Sequence, residues 1–498
     1  METDVLVVGA GPTGLMLACQ LARRGVKPLL IDRHAGPAQQ TRALGVQART
    51  MEIYAQLGVV ERALELGRKG TGANIWARGR RSARVPIGET GSGVTPYPYI
   101  FILGQDDNER ILGARLGELG GEIRWNTELT ALEQRGDRVA ATLRQPDGTL
   151  KTVEAAWIGG CDGAHSAVRE LNGIGFPGAP YEHVFFVADV AATGPMVPGE
   201  LNVFLWKLRF HAFFPMRGEN HWRIVGILPD ELTGRKDVAF EDVLPYLRGE
   251  WGDGIVVQRC TWFSTYRIHH RAAARFRDGR CFLLGDAAHI HSPVGAQGMN
   301  TGLQDAYNLG WKLALVAQGR ADSALLDSYE EERLPVARRL LETTDRAFRL
   351  VVSDSWLAGL ARTHVVARIA ALLLRFASVR RFAFRTVSQI GITYRESALS
   401  ETLGALPEAA PHSGDRFPWV GNLLPELGDV DFHLLAIGQA APEIPGGLVK
   451  TRSIPADGSL PSPSFYLLRP DGHIGLCGRQ ADAGVIKRYL RERLKLAA

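Results

Sequence analysis

The first thirty residues contain two short apolar runs, separated by a glycine turn and a helical pattern. Residues 5–8 are rich in β-branched side chains and predict a buried strand. A Gly-x-Gly-x-x-Gly sequence follows, and residues 15–24 then repeat apolar positions at helical spacing up to Gly25. A second apolar run, residues 28–31, ends at Asp32. The pattern predicts a strand–helix–strand unit with the glycine turn between the first strand and the helix.

Further along the chain, the apolar pattern changes between helical and strand periods. Helices are predicted near residues 48–57, 105–119 and 299–318, and strands within 122–143 and over 152–160. Residues 182–264 differ in character, because short β-rich segments such as 183–190, 203–214 and 222–228 are separated by glycine and proline turns. The last hundred residues return to a mixed α/β pattern.

These patterns predict an α/β fold in three parts. Residues 1–180 and 265–390 form one discontinuous domain, residues 181–264 form an inserted antiparallel sheet, and residues 400–498 form a C-terminal domain. The apolar stretch 365–384 is interrupted by arginines, which favours a surface or domain-bridging helix over a membrane span.

Composition narrows the class of protein. The 498 residues are 45% hydrophobic and 22% charged, which is typical of a soluble globular protein. The net charge of +5 is small and no basic block stands out, so we expect no nucleic-acid partner. Five widely spaced cysteines favour a reducing, cytoplasmic compartment. Glu2 and Asp4 argue against a signal peptide, and we expect a monomer or homodimer without a membrane span.

The glycine turn is typical of a dinucleotide site. Its glycines provide a tight bend, close approach of the backbone to a pyrophosphate, and close packing of helix on strand. The helix start adds amides and a positive dipole end. Asp32 stands about twenty residues on, where an acid binds a ribose. The candidate residues in the turn itself are Gly9, Gly11, Pro12, Thr13 and Gly14.

Two further blocks follow predicted strands: Asp162-Gly163 with Ser166 and Arg169, and Gly285-Asp286 with Pro293, Gly295 and Gly298. Together the three blocks resemble the group A FAD-dependent aromatic hydroxylases related to p-hydroxybenzoate hydroxylase. The branch that acts on phenols and aromatic polyketides is the most similar. The resemblance implies a Rossmann-like FAD-binding domain, an inserted β-sheet substrate domain and a C-terminal thioredoxin-like domain.

The resemblance also implies an activity. NADPH or NADH, bound transiently, would reduce FAD, and O2 would then hydroxylate a polycyclic polyketide or phenol through a flavin C4a-hydroperoxide. It implies that Asp32 binds the adenosine ribose and that the segment from Gly298 to Asn300 directs amides toward the flavin pyrimidine. The resemblance also implies that cofactor contacts come from Arg33, Arg42, Gln105, Leu129, Asp162, Asp286, Pro293, Gly295 and Met299.

Structural alternatives exist for several of these residues. Asp162 and Asp286 could be helix-capping acids after strands, and Arg33 and Arg49 could be solvated surface residues. The histidines near the second and third blocks lack metal-ligand spacing, so no metal site is predicted.

Hydroxylation requires an ionised phenol, whose reference pKa is about 10. His211 is the first candidate to assist that ionisation, followed by Tyr266 and then Tyr99. A histidine satisfied within the sheet is the alternative for His211.

Other flavoprotein activities remain open. Baeyer–Villiger oxygenation and a flavin-binding protein without oxygenase turnover are both compatible with the sequence. The Trp-x-Trp-x-Ile-Pro motif of flavin-dependent halogenases is absent. The only other Gly-x-Gly-x-x-Gly, at residues 173–178, does not follow an apolar strand pattern, so no resident nicotinamide domain is predicted. The C-terminal domain has Cys477 but no Cys-x-x-Cys, so we expect a structural or oligomer role for it.

Overall fold

The computed structural model describes residues 2–38, 43–77, 79–206, 210–235, 237–251, 254–291, 297–352, 376–420 and 430–496. Within these ranges the chain forms four β-sheets and eleven α-helices. The helices are α1 (Pro12–Ala22), α2 (Ala48–Leu57), α3 (Val60–Leu66), α4 (Ile87–Thr90), α5 (Gln105–Glu118), α6 (Ala167–Leu171), α7 (Phe240–Trp251), α8 (Gly298–Ala317), α9 (Asp327–Val352), α10 (Ala377–Val387) and α11 (Ala483–Glu492).

The first sheet contains the N-terminal strand and is parallel at its centre. Its strands are β1 (Glu2–Val8), β2 (Leu29–Ile31), β8 (Ile123–Arg124), β9 (Glu128–Arg135), β10 (Arg138–Arg144), β11 (Leu150–Gly160), β17 (Arg277–Asp278) and β18 (Cys281–Leu283). Val8 lies opposite both Ile31 and Gly160, and Gly160 lies opposite Leu283. The four strands therefore end at one edge of the sheet, immediately before the segments that the sequence analysis selected.

The second sheet is almost entirely antiparallel. Its strands, in spatial order, are β19 (His289–Ile290), β16 (Val256–Ala272), β12 (Gly178–Thr193), β15 (His221–Ile227), β14 (Phe210–Pro215), β13 (Leu201–Leu205), β5 (Gly72–Ala77) and β6 (Arg80–Pro86). β13 pairs in parallel with β5, so residues far outside 181–264 complete this sheet. The exact boundaries of an inserted domain stay a prediction.

The segment 203–214 differs from its prediction. It does not form one aromatic strand, because Leu205 pairs with Phe210 and the chain reverses between them. Apolar residues on both sides of a short reversal give the same continuous pattern as a single buried strand, so the turn could not be read from periodicity.

The C-terminal region forms a third sheet, and three short strands form a fourth. The third sheet contains β20 (Glu401–Leu403), β21 (Phe432–Ile437), β22 (Val449–Ile454), β23 (Ser464–Leu468) and β24 (Ile474–Gly478). The fourth contains β3 (Gly45–Val46), β4 (Arg68–Gly70) and β7 (Ile100–Ile102). Trp311 of α8 packs edge-on against Phe432 of β21, at 5.7 Å between ring centroids. The C-terminal region therefore shares a core with the long helix of the first domain.

Candidate functional site

The glycine turn after β1 is held between two neighbouring strand ends. Gly9 donates its N–H to the carbonyl of Ile31 at 2.8 Å, and its φ of +99° favours glycine. A Cβ at Gly9 would lie 2.8 Å from the Cα of Asp162, and one at Gly14 would overlap the carbonyl oxygen of Gly9. A Cβ at Gly11 would meet no protein atom within 4 Å. Gly9 and Gly14 are therefore required by packing, whereas Gly11 borders open space at the start of α1.

Asp32 lies beside this turn at the end of β2. Its Oδ2 accepts the N–H of Ala10 at 2.7 Å, and its Oδ1 accepts the N–H of His34 at 2.8 Å. The carboxylate is thereby held next to the glycine turn, as expected for an acid that binds a ribose. The same contacts also brace the turn itself.

The Asp162 block caps a short helix. Asp162 accepts the hydroxyl of Ser166 at 2.6 Å and the N–H of Val168 at 3.1 Å, which is the capping alternative. Burial raises the pKa of this carboxyl. Arg169 donates to the carbonyl of Ala287 at 3.0 Å, so the second block is fixed against the third.

The third block packs against the start of α1. A Cβ at Gly285 would lie 2.6 Å from Oγ1 of Thr13. Asp286 is exposed in the 3₁₀ turn Gly285–Ala287, which follows β18 directly. The three blocks therefore surround one edge of the first sheet.

The first turn of α8 contacts the segment before α2. Asn300 Oδ1 accepts the N–H of Gln47 at 2.8 Å, and Asn300 Nδ2 donates to the carbonyl of Gly45 at 2.8 Å. Met299 is half buried, and Gly298 opens the helix. Gln297 makes no side-chain cap hydrogen bond within the part of the chain that is described. The start of α8 therefore has no side-chain cap from Gln297, and its amides form the positive end of the helix dipole.

Asp305 of α8 was not predicted from the sequence, and it holds the third block through hydrogen bonds. Its Oδ2 accepts the N–H of Gly285 at 3.0 Å and lies 2.7 Å from Nε2 of His289, while its Oδ1 lies 2.7 Å from Nε of Arg333. Burial would raise the pKa of Asp305, but the positive charge of Arg333 and the contact with His289 outweigh burial and lower it. The available signal was a charge within α8, whose only charged residues are Asp305 and Lys312.

The other predicted cofactor residues are dispersed. Arg33 is exposed, and Gln105 opens α5 and donates to Glu109 at 2.9 Å. The side chain of Leu129 is buried in the core of the first domain, so any cofactor contact would come from its backbone. The predictions for Arg42, Pro293 and Gly295 fall outside the described residues.

One face of the second sheet is covered by α7, and His211 lies on this face. The imidazole is fully buried, and its Nδ1 accepts the indole N–H of Trp251 at 3.2 Å. It also packs against Phe186, at 6.2 Å between ring centroids. These contacts hold the imidazole within the sheet, on the face that α7 covers.

The opposite face of the second sheet carries Tyr266 and turns toward a cavity. Tyr266 packs on Phe185, 6.1 Å away, and burial raises its pKa to about 12. Farther along this face, Arg223 and Asp189 form two contacts of 2.6 Å and line a cavity of about 450 Å³. The other lining residues include Leu44, Leu103, Gly104 and Trp262, so the cavity lies between the second sheet and the segment that leads into α5.

Tyr99 lies in the apolar core of the first domain. Burial raises its pKa to about 12, and its ring lies 6.2 Å from that of Phe101. Both candidate tyrosines therefore remain protonated near neutral pH and are poor general bases.

A family model described as an FAD binding domain matches residues 2–344. The chain belongs to this FAD-binding family. A 6-methylpretetramide 4-monooxygenase of Streptomyces rimosus is 39% identical to this flavoprotein, over 72% of the chain and 64% of that enzyme. A 12-dehydrotetracycline 5-monooxygenase/anhydrotetracycline 6-monooxygenase of the same species is 36% identical, over 81% of the chain and 80% of that enzyme.

The solved structures agree with the family assignment. An anhydrotetracycline hydroxylase from Streptomyces rimosus matches this flavoprotein with a TM-score of 0.81 and 31% identity, and the match covers 100% of both chains. The predicted resemblance to group A aromatic hydroxylases is thereby confirmed.

The residues present in this flavoprotein fit an FAD. Gly11 leaves space beside the start of α1, and Asp32 stands next to it. The start of α8 lies beyond the third block, and within the described part of the chain the side chain of Gln297 does not cap it. Among the described residues, no group of three metal-ligating side chains occurs, and no helix has the length and apolar character needed to cross a bilayer.

Proposed function

We propose that this flavoprotein is an NAD(P)H-dependent monooxygenase that transfers one oxygen atom from O2 to an aromatic ring. The observation that carries the proposal is the meeting of three sequence blocks at adjacent strand ends, with a cavity between the second sheet and the segment that leads into α5. Polycyclic polyketides are the preferred substrate class, because 6-methylpretetramide and anhydrotetracycline occur in the names of its relatives. A single-ring phenol is the second class.

The cofactor would lie along the strand ends. The pyrophosphate fits beside Gly11, where the amides and dipole of α1 favour negative charge. Asp32 would accept the ribose hydroxyls, and Asp286 the ribityl or pyrophosphate end. The start of α8 at Met299 would face the pyrimidine, where a positive dipole end stabilises negative charge. When bound, the flavin supplies the reaction with O2 that closed-shell side chains cannot perform.

The aromatic substrate would lie on the face of the second sheet opposite α7. Val203, Phe214 and Val225 are half buried there and follow the alternation of Phe185 and Tyr266. These side chains would orient a flat ring and exclude water, which protects oxygen transfer from wasteful peroxide release. Because its pKa is about 12, Tyr266 would donate a hydrogen bond and would not remove a proton.

The domain assignments extend this proposal. We keep residues 181–264 as the main substrate-binding segment and residues 400–498 as a thioredoxin-like domain. The mixed five-stranded C-terminal sheet supports the second assignment. It lacks a redox cysteine pair, since Cys477 is buried and stands alone in sequence.

The test uses purified protein loaded with FAD. Fused-ring aromatics and single-ring phenols are compared for their effect on NADPH and NADH oxidation, and products are analysed by mass under isotopically labelled O2. We expect at least one fused-ring compound to accelerate oxidation and to gain one labelled oxygen, with less hydrogen peroxide released. NAD(P)H oxidation that no aromatic changes, with no oxygenated product, would contradict the proposal.

A further inference from the structure

The first turn of α2 is bound by the C-terminal region through a buried ion pair. Arg416 approaches Glu52 with Nε–Oε2 at 2.9 Å and Nη2–Oε1 at 2.6 Å. The exposed fractions of the two side chains are 6% and 7%. Because 364 positions separate these residues in sequence, the pair forms only when the C-terminal region docks.

Glu52 is also held by its own domain. Arg49 donates to its Oε2 at 2.9 Å, and the hydroxyl of Thr95 donates to its Oε1 at 2.8 Å. Arg49 in turn donates to the carbonyl of Asp471 at 2.6 Å. Both residues of this helical turn therefore contact the C-terminal region directly, through Arg416 and Asp471.

The N-terminal end of α2 adjoins the segment that contacts the start of α8, where the proposed FAD site has its pyrimidine end. Ala48 opens α2, and the preceding residue, Gln47, donates its N–H to Asn300 in the first turn of α8. Asn300 also binds the carbonyl of Gly45. The path from Arg416 to the start of α8 thus contains one ion pair, one helical turn and one hydrogen bond from a backbone N–H to the side chain of Asn300.

We propose that Arg416 and Glu52 are positioning residues that set the pyrimidine end of the flavin cradle. By fixing the first turn of α2, they hold Gln47 against Asn300, and so hold the 45–47 segment against the start of α8. A bidentate arginine–carboxylate pair restricts orientation as well as distance, which suits this role. The proposal rests on the proposed FAD site and gives the C-terminal region a part in cofactor binding.

Other contacts keep the C-terminal region docked when this pair is lost. Arg469 contacts Glu332 of α9 at 2.5 and 3.0 Å, and Trp311 of α8 donates to Asp471 at 3.1 Å. In an Arg416→Met variant, Glu52 retains Arg49 and Thr95, so no buried carboxylate is left without a partner. We therefore expect that variant to fold.

The experiment compares Arg416→Met with Arg395→Met in the full chain. Arg395 forms a bidentate pair with Asp415 at 2.7 Å, but its side chain is 57% exposed and only 20 positions separate the two residues, so it is the control for loss of an arginine–carboxylate pair. FAD dissociation constants are measured from the fluorescence change on binding, together with the visible circular dichroism of bound FAD. We expect Arg416→Met to weaken FAD binding about tenfold, in the usual range for coupling between sites, and to alter the dichroism. Arg395→Met should change neither quantity.

A conservative variant separates positioning from general destabilisation. Arg416→Lys keeps the charge but loses the bidentate geometry, so we expect an intermediate FAD affinity at an unchanged melting temperature. If Arg416→Met does not fold, the same measurements on Arg416→Lys decide. FAD affinity and dichroism equal to wild type in the folded variant, or equal losses in the Arg395 control, would overturn the positioning role. A wild-type chain that binds no FAD would instead overturn the proposed function, and this inference with it.

Discussion

In the turn after β1, an added methyl group should affect folding at Gly14 and cofactor binding at Gly11. Gly14 faces the carbonyl of Gly9, whereas Gly11 borders open space. Gly14 is therefore needed for the packing of α1 on β1, whereas Gly11 leaves room for a bound cofactor. This separates folding from cofactor binding within four residues.

We predict that Gly14→Ala destabilises the apoprotein by about 1–3 kcal/mol or more, because overpacking forces the helix and the strand apart. Gly11→Ala should cost no more than about 1 kcal/mol, the usual difference at a helix start, yet weaken FAD binding at least about tenfold, because its methyl group occupies the space needed by the pyrophosphate. Denaturant unfolding of the apoprotein and FAD titration measure the two effects. Equal FAD affinity in Gly11→Ala and wild type would contradict the assignment.

Individual residues were predictable from sequence where their role is local. The glycine turn and Asp32 follow from spacing alone, because the turn and its acid lie within one strand–helix–strand unit. Asp305 was not predictable, since its partners Gly285 and Arg333 reach it only after α8 and α9 pack. His211 lies on an alternating strand, but sequence does not reveal which face α7 covers.

Among the elements, α8 combines the most functions. Its first turn binds the segment before α2, its middle supports the third block through Asp305, and its last turns pack on the C-terminal sheet. Its bounds were predicted almost exactly from apolar spacing, at 299–318 against the observed Gly298–Ala317. Asp305 and Lys312, the two charged residues of α8, indicate that the helix has polar neighbours.

We predict that Asp305→Asn lowers the free energy of unfolding by about 3–5 kcal/mol, because it leaves the buried guanidinium of Arg333 without a charged partner. FAD affinity should also fall, since Gly285 loses its carboxylate acceptor. The comparison change Asp415→Asn breaks a pair whose arginine is 57% exposed and should cost about 0–1 kcal/mol. Denaturant unfolding of both variants provides the comparison. Equal costs would mean that Asp305 does not carry a buried charge.

The presence of helices and strands was thus more predictable than the pairing between strands. The segment 203–214 was recognised as β-structure, but its reversal into two strands was not. The pattern over residues 70–100 indicates strands and loops without separating them. The parallel pairing of β5 with β13 depends on contacts between residues more than one hundred positions apart. Periodicity reports which face of a strand is buried and carries no information about its neighbour.

At the scale of the whole molecule, buried carboxylates join the C-terminal region to the rest. Burial alone would raise the pKa values of Glu52 and Glu332, but Arg416 and Arg469 respectively outweigh it and lower both to about 2. A carboxylate whose pKa is lower in the folded chain stabilises it at pH values above its unfolded pKa of about 4.3. That stabilisation is lost as the pH falls toward 2.

We predict that the free energy of unfolding decreases by a few kcal/mol between about pH 5 and about pH 2.5, as the unfolded chain takes up protons that the folded chain excludes. Arg416→Met should show a weaker dependence, because Glu52 loses the contact that contributes most to its low pKa. Denaturant unfolding at a series of pH values measures both slopes. A stability that stays constant over this interval would contradict the lowered pKa values.

The sequence predicts a division into α/β, β-rich and C-terminal parts, but it does not indicate how distant segments contact one another. Arg49 and Asp471 are 422 positions apart, and nothing in either local pattern indicates the other. The family assignment confirms the cofactor, while the thioredoxin-like C-terminal domain remains a prediction.

The parallel pairing of β13 with β5 also limits how this protein can be re-engineered. Replacing residues 181–264 with the corresponding segment of another enzyme would leave the original β5 and β6 in place. The introduced β13 would then have to pair with a β5 from a different protein. An unmatched strand border invites aggregation. Recombinants with altered substrate range should therefore exchange residues 72–86 together with the larger segment.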